Sequence, residues 1–439
     1  MINRVKVKGY KSLADLEVQL QSLAVLLGPN AAGKSNFLDL LQLLSKLATS
    51  RTIKDAFAPP YRGLPLESFT FPADGLAGLI KQDSASFSVE VDVQLSPVTI
   101  ETVNRQIRDM KKNRASEADA DGPRDETGMP QVRERYLRYR IEIEILPKSG
   151  VLRVADEYLA SLTATGALNQ RRKPFLEAIG KRLHLRMEGQ AHPTYYERGL
   201  DRCLLSSPLY PPHYPHLVAL RQELASCFFF YFEPRERMRA ANPVKEVRHI
   251  GLMGEELAPF LNTLRALDER QFRNVEKALH LIIPSVNGID VAVNSLGEVE
   301  LRVLEGDIPV PARVLSEGTL RVLGLLALGG AKDPPTVVGF EEPENGIHPR
   351  RIRLITELLS NRAAEGKTQL IVTTHSPIVS DLIPAQSLYV CQKVGGRTTI
   401  KPLRPIPPLF RSPDLSQILD AEEGATPISE RILRGDFDE

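Results

Sequence analysis

No apolar run in this 439-residue chain approaches the roughly 20 residues that cross a bilayer, so a membrane helix is not expected. The opening Met1-Ile2-Asn3-Arg4-Val5-Lys6-Val7 alternates like a strand and lacks the blocks of a secretory leader, which points to the cytoplasm. Cysteine is scarce. Cys203, Cys227 and Cys391 stand far apart without the paired spacing of a metal site, and are expected to be buried, reduced thiols. An excess of either charge is also missing: 56 Lys and Arg against 55 Asp and Glu leave a formal +1, so any nucleic-acid surface must be a local patch. Neither a repeat of fixed period nor sustained heptads occur, which excludes a solenoid and a long coiled-coil arm. What is present is 42% apolar residues, enough for a substantial core and two or three domains.

The most informative stretch is Gly28-Pro29-Asn30-Ala31-Ala32-Gly33-Lys34-Ser35, followed by Asn36. It fits the GxxxxGK[ST] phosphate loop and lies where that loop must lie, after the apolar strand Leu23–Leu27 and before a helix whose Leu38, Leu41, Leu44 and Leu47 share one face. Glycines 28 and 33 let backbone N–H groups turn around a β-phosphate, and the helix N-terminus adds its positive dipole end. Lys34 is placed to bridge the β- and γ-phosphates and Ser35 to offer its hydroxyl to Mg²⁺. Nothing in the loop separates ATP from GTP.

Along the chain, Val5/Val7 and Leu16/Val18/Leu20 read as an antiparallel pair feeding the strand before the loop. Alternation at Ser86–Leu95 and Tyr139–Leu146 adds strands of an antiparallel lobe. Between them, residues 113 to 132 are charged and nearly free of apolar side chains, and read as an exposed disordered loop. Residues 1–165 thus form the first part of a nucleotide-binding head. Residues 166–285 read as a mainly helical insertion, with helices at Gly254–Leu267 and Glu269–Ile283. Residues 286–400 return to the head, and 401–439 form a proline-studded tail.

Three further motifs crowd the C-terminal part. Leu315-Ser316-Glu317-Gly318-Thr319-Leu320-Arg321 opens an apolar helix and reads, alone, as a helix cap that could also face an anion. The strand from Thr336 to Phe340 ends in Glu341 and Glu342, so that one carboxylate can reach a metal shell and the next an attacking water. Gln369–Thr374 is another buried-type strand, and it ends at His375, whose position suits a γ-phosphate sensor.

In this order, phosphate loop, LSxG signature, double-carboxylate strand and switch histidine resemble the ABC-type ATPase head shared by RecF, SMC and OLD proteins. The stretches 9–13 (GYKSL), 28–36 (GPNAAGKSN), 315–321 (LSEGTLR), 341–349 (EEPENGIHP) and 373–377 (TTHSP) are more closely similar to the bacterial AAA-family, OLD-like ATPases of repair and anti-phage operons. The resemblance implies an α/β fold: a phosphate-loop NTPase head with a mixed, largely parallel sheet core, an antiparallel β-lobe, a helical insertion and no long coiled coil. It implies ATP and Mg²⁺ as cofactors, held by residues 28–36 with Ser35 and Glu341 as metal ligands. Ser316 and Gly318 would contact the γ-phosphate, Lys34 would take part in catalysis, Glu342 would be the general base and His375 the switch. Asn345 and His348 fall in the stretch similar to a D-loop. Glu341 departs from the usual Asp, which puts metal affinity in doubt, and LSEGT replaces the transporter-type LSGGQ.

Because each motif occurs once, the resemblance implies a homodimer that closes on two Mg-ATP and hydrolyses them slowly, as a switch. OLD proteins carry a Toprim nuclease after the ATPase. The stretch after His375 lacks the separated Glu and Asp-x-Asp strands of such a domain, and Asp436 and Asp438 have no fold around them. The leading expectation is therefore a sensor acting on a separate, nuclease-type effector in anti-phage defence. The alternative is a RecF-like DNA clamp, for which the basic clusters at 105–114, 133–140, 235–239 and 350–353 would be the phosphate track; with a net charge near zero each reads first as a solvated face.

Overall fold

Period-two alternation of apolar residues builds the antiparallel lobe. In a computed structural model, which describes residues 1–116, 131–188, 192–330, 334–403 and 428–434, the chain divides into two units. The first comprises Met1–Gln21, Asn36–Cys227 and Lys393–Thr399; the second, Ser22–Ser35, Phe228–Gln392 and Ile400–Glu439.

In the first unit eight antiparallel strands run in the order β2 (Leu13–Gln19), β1 (Ile2–Tyr10), β4 (Ala85–Gln94), β5 (Tyr136–Leu146), β6 (Val151–Ser161), β7 (Leu176–Ile179), β8 (Arg182–Leu185) and β9 (Thr194–Glu197). Val5, Val7, Val89, Val91, Tyr139, Ile141 and Ile143 are buried, each contributing about 1.5–3 kcal/mol for a large apolar side chain. The polar residues between them carry a cross-strand charge network: Arg4 Nε donates to Asp92 Oδ2 at 2.9 Å, and Arg138 grips both oxygens of Asp92 at 2.7 and 2.8 Å. The helices of this unit are α2 (Ile53–Ala56), α3 (Gly75–Lys81), α4 (Pro97–Ser116) and α5 (Pro215–Ala225), together with α1 (Lys34–Thr49), which leads into it from the second unit.

The stretch expected to be a helical insertion opens with β7, β8 and β9, which extend the antiparallel sheet. Leu176 and Ala178 alternate before the Gly180-Lys181 turn, and Leu183 and Leu185 after it, a pattern too short to stand out in sequence but well supported once β6 offers an edge. Among the described residues, the α-helices there are α5 and, in the second unit, α6 (Leu257–Leu267) and α7 (Glu269–Ile282), with a short 3-10 turn at Arg237–Arg239. The loop expected at 113–132 begins inside α4, which continues to Ser116; its residues 117–130 lie outside the described residues, as does most of the tail.

The second unit is built on a six-stranded sheet ordered β10 (Cys227–Phe230), β15 (Val337–Glu341), β16 (Gln369–Thr374), β3 (Leu23–Leu27), β17 (Leu388–Val394) and β18 (Arg397–Pro402). β15, β16, β3 and β17 are parallel, and their largely apolar, buried runs fit a sheet covered on both faces. A smaller antiparallel sheet joins β11 (Asn242–Pro243), β13 (Glu298–Glu305) and β12 (Val286–Val293), with β14 (Ile308–Pro311) on β13. Helices α6, α7, α8 (Glu317–Ala327), α9 (Pro349–Ala364) and α10 (Pro377–Leu382), with a short helix at Ile428–Leu433, belong to the unit, and a continuous core includes Phe340, Leu323, Leu261 and Leu370.

Candidate functional site

Register brings the motifs together. Glu341 lies opposite Thr373, and Thr374 opposite Leu27, so the residues that leave these three parallel strands, Glu342, His375 and Gly28, emerge at one edge of the sheet. Carboxyl ends of parallel strands are where open α/β sheets place their ligands.

The loop at Gly28 touches the neighbouring strand. A Cβ there would stand 2.1 Å from the carbonyl oxygen of Cys391, so no other residue fits. Ala31 sits at φ +62° and Gly33 at +99°, the left-handed turns from which backbone amides form an anion nest. The Cys391 thiol donates to Ala32 O at 3.4 Å, and burial pushes it up to about 12, which makes it an inert support of the loop. Lys34 is 5% exposed, and its Nζ donates to Gly28 O at 2.7 Å and Pro29 O at 2.9 Å. Burial draws its ammonium below the ordinary lysine range against the pull of Glu342, Cys391, Glu341 and Glu344. Asn36, expected with the loop, places its amide on Ser12 Oγ at 2.7 Å.

Ser35 Oγ donates to Glu341 Oε1 at 2.5 Å, so the two expected metal ligands are already in contact. A hydroxyl and one carboxylate suit Mg²⁺, a hard cation that shares few protein oxygens and takes the rest from phosphate and water. Among the described residues no cluster of three or more His, Cys, Asp or Glu forms a separate metal site. Glu341, which stands where the resemblance expects Asp, reaches the Ser35 hydroxyl with its side chain.

Glu342 has φ +47°, a left-handed backbone that costs a non-glycine residue about 1–2 kcal/mol. Its N–H donates to Thr373 O at 3.0 Å. Its side chain is held from both sides: Oε1 accepts from His375 Nδ1 at 2.9 Å and Oε2 from Asn345 Nδ2 at 2.6 Å. Burial favours the neutral acid, yet these two bonds and the charges of His375 and Lys34 outweigh it and hold Glu342 below the usual carboxylate range. It is a fixed, ionised carboxylate with a partly exposed histidine beside it. Asn345 thus orients Glu342 within its own chain, while His348 caps α9, its Nδ1 accepting from Arg350 N at 3.3 Å.

Ser316 caps α8, its Oγ accepting from Thr319 N at 3.1 Å, as the helix-cap reading anticipated. A Cβ at Gly318 would lie 2.4 Å from Gly346 O, so the start of α8 rests directly on the loop after Glu342. No hydrogen bond joins Ser316 to Lys34 or Glu342 among the described residues. Two arginines of the basic cluster at 235–239, expected first as a solvated face, instead meet the signature and the residues just before it. Arg235 pairs with Glu317 at 2.8 Å, and Arg239 donates to Arg313 O and Leu315 O, both at 2.8 Å. Sequence reasoning also passed over Glu344, Thr374 and Arg321. Glu344 is 6% exposed and accepts from Thr374 Oγ1; the only sequence signal was a third acidic residue at the same strand exit.

Two family models match the chain: "AAA ATPase domain" over residues 1–147 and "AAA domain, putative AbiEii toxin, Type IV TA system" over residues 196–381. The chain is 24% identical over 397 residues to the OLD nuclease of Thermus scotoductus (strain ATCC 700910 / SA-01), covering 90% of this chain and 62% of that protein, so it spans about three fifths of the relative's length. Solved structures that it resembles include an SMC head bound to the C-winged helix domain of ScpA (13% identity, TM-score 0.48, 91% and 97% of the two chains). An SMC head from Thermotoga maritima is another (14% identity, TM-score 0.41, 92% and 99%). Among the described residues no helix is long and apolar enough to cross a membrane.

Proposed function

We propose that this chain, an ATPase of the OLD- and SMC-like class, is a nucleotide-driven switch: two copies close on Mg-ATP, hydrolyse it slowly, and in doing so control a separate nuclease-type effector in anti-phage defence. The observation that carries the hydrolytic part is Glu342, strained, ionised and held between His375 and Asn345 beside a phosphate loop. In this reading Lys34 leaves the carbonyls of Gly28 and Pro29 for the β- and γ-phosphates, Ser35 and Glu341 hold Mg²⁺, and Glu342 orients and deprotonates the attacking water. The metal would supply neutralisation of phosphate charge. In this reading His375 reports the γ-phosphate to Glu342, and its hydrogen bond to that carboxylate supports the role. Dimer closure rests on the placement of Ser316 and Gly318: they form no part of the hydrogen-bonded cluster around Lys34 and Glu342 among the described residues, which suits a signature that serves a second copy. The nuclease-type chemistry of the partner is suggested by the relation to the OLD nuclease, and the defence role by the resemblance of the motifs to ATPases of anti-phage operons.

The RecF-like clamp is less well supported, because several arginines of the proposed phosphate track have partners within the chain: Arg235 with Glu317, Arg239 with two carbonyls, Arg138 with Asp92 and Arg353 with Glu357. The deciding experiment purifies tagged Glu342→Gln from its host in Mg-ATP and measures complex mass, co-eluting protein and nucleic acid. A dimer with a stoichiometric protein partner is expected; a monomer in saturating Mg-ATP sinks the switch, and a dimer carrying only nucleic acid turns the assignment to the clamp. Lys34→Ala is expected to abolish nucleotide binding, and full activity in that variant would overturn the loop assignment.

A further inference from the structure

Glu344 is the most deeply buried carboxylate around the site, and the hydrolytic roles above leave it unused. It follows Glu342 by two residues, is 6% exposed, and lies within the electrostatic reach of Glu342, His375, Lys34 and Arg321. One oxygen, Oε1, accepts from the hydroxyl of Thr374; the other, Oε2, is buried with no partner. A buried polar atom left unpaired is costly, and such costs persist where position matters more than stability. Burial pushes the carboxyl above its ordinary range against the Thr374 bond.

The partner it uses is informative. Thr374 is completely buried at the end of β16, and its Oγ1, while donating to Glu344, accepts from the backbone N–H of Ser376 at 2.9 Å. His375 stands between these two anchored residues, and its ring reaches Glu342 from there. The turn that aims the ring is therefore tied, through one hydroxyl, to the loop that carries Glu342. A χ1 change at Thr374 would release the Ser376 amide and with it the backbone of His375.

We propose that Glu344 is a positioning residue for hydrolysis, which through Thr374 fixes the turn that presents His375 to Glu342. The proposal rests on the ATPase reading above, but its geometric half does not depend on turnover. Glu344→Ala removes the acceptor, Glu344→Gln keeps an acceptor oxygen of the same length, Thr374→Val removes the hydroxyl and Thr374→Ser restores it.

The test uses the full chain, with steady-state ATP hydrolysis and the side-chain ¹⁵N resonances of His375, assigned by their loss in His375→Gln. Glu344→Ala and Thr374→Val are expected to lower kcat about tenfold or more while the KM for ATP stays within about threefold, and to move the Nδ1 resonance from its hydrogen-bonded position toward that of a solvated ring. Glu344→Gln and Thr374→Ser are expected to keep both near wild type. An unchanged His375 resonance in Glu344→Ala overturns the proposal, as does a loss in Glu344→Gln equal to that in Glu344→Ala. Should Glu344→Ala fail to fold, the Val and Ser pair at 374 decides in the same way. If the wild-type chain hydrolyses no ATP, the ATPase reading falls while the His375 resonance still decides the role of Glu344.

Discussion

Glu342 and His375 leave neighbouring parallel strands and meet at 2.9 Å, carboxylate to Nδ1. Glu342 achieves this with a left-handed backbone at φ +47°, and Asn345 secures its other oxygen. Strain at one residue, satisfied on both sides, describes a carboxylate held for a task.

Removing His375 should therefore alter both rate and pH dependence. The bond from His375 stabilises ionised Glu342, so its loss lets the carboxyl take up a proton at higher pH. For His375→Ala, kcat for ATP is expected to fall by about 10²-fold or more, and the acid limb of the pH–rate profile to move toward neutrality. A profile with an unshifted acid limb would detach His375 from Glu342.

Glu341 makes its contact with Ser35 at 2.5 Å through the length of its side chain. Glu341→Asp withdraws the carboxylate by a methylene and should raise the Mg²⁺ concentration for half-maximal hydrolysis several-fold, with little change in fold stability. A Mg²⁺ titration that superimposes on wild type would remove Glu341 from the metal shell.

The two arginines on the signature should differ. Arg239 donates to two backbone carbonyls, so Arg239→Ala is expected to lower unfolding free energy by about 1–3 kcal/mol in urea. Arg235 forms a solvent-exposed pair with Glu317, and Arg235→Ala should leave the unfolding transition close to that of the wild type. Equal effects would contradict the latch.

Asp92 tests the first unit. Burial opposes its ionisation, but the bonds from Arg138 and Arg4 hold it below the usual aspartate range. A carboxylate with a depressed folded-state pKa contributes stability above its unfolded pKa and loses it as pH falls through the folded one. Thermal stability should therefore decline from about pH 4 downward in the wild type. In Asp92→Asn that decline should flatten, and the variant should be less stable at neutral pH by about 2–4 kcal/mol.

The placement of this chain's motifs was legible in sequence wherever it depends on adjacent residues. Gly28 to Ser35 form one turn, Ser316 caps its own helix, and Glu341-Glu342 and His375 end strands whose apolar runs announce them. Local geometry dictates these residue types, so order and spacing were enough to place the loop, the carboxylates and the histidine. Tertiary structure decided what pairs across distance: β7 to β9 became strands because β6 offered an edge, Arg239 became a latch because the signature lies beside it, and Asn345 turned to Glu342. Glu344 acquired a role only where the ends of β15 and β16 adjoin. A hydrogen bond between residues thirty positions apart exists only after the sheet has set its register, and no periodicity along the chain encodes it.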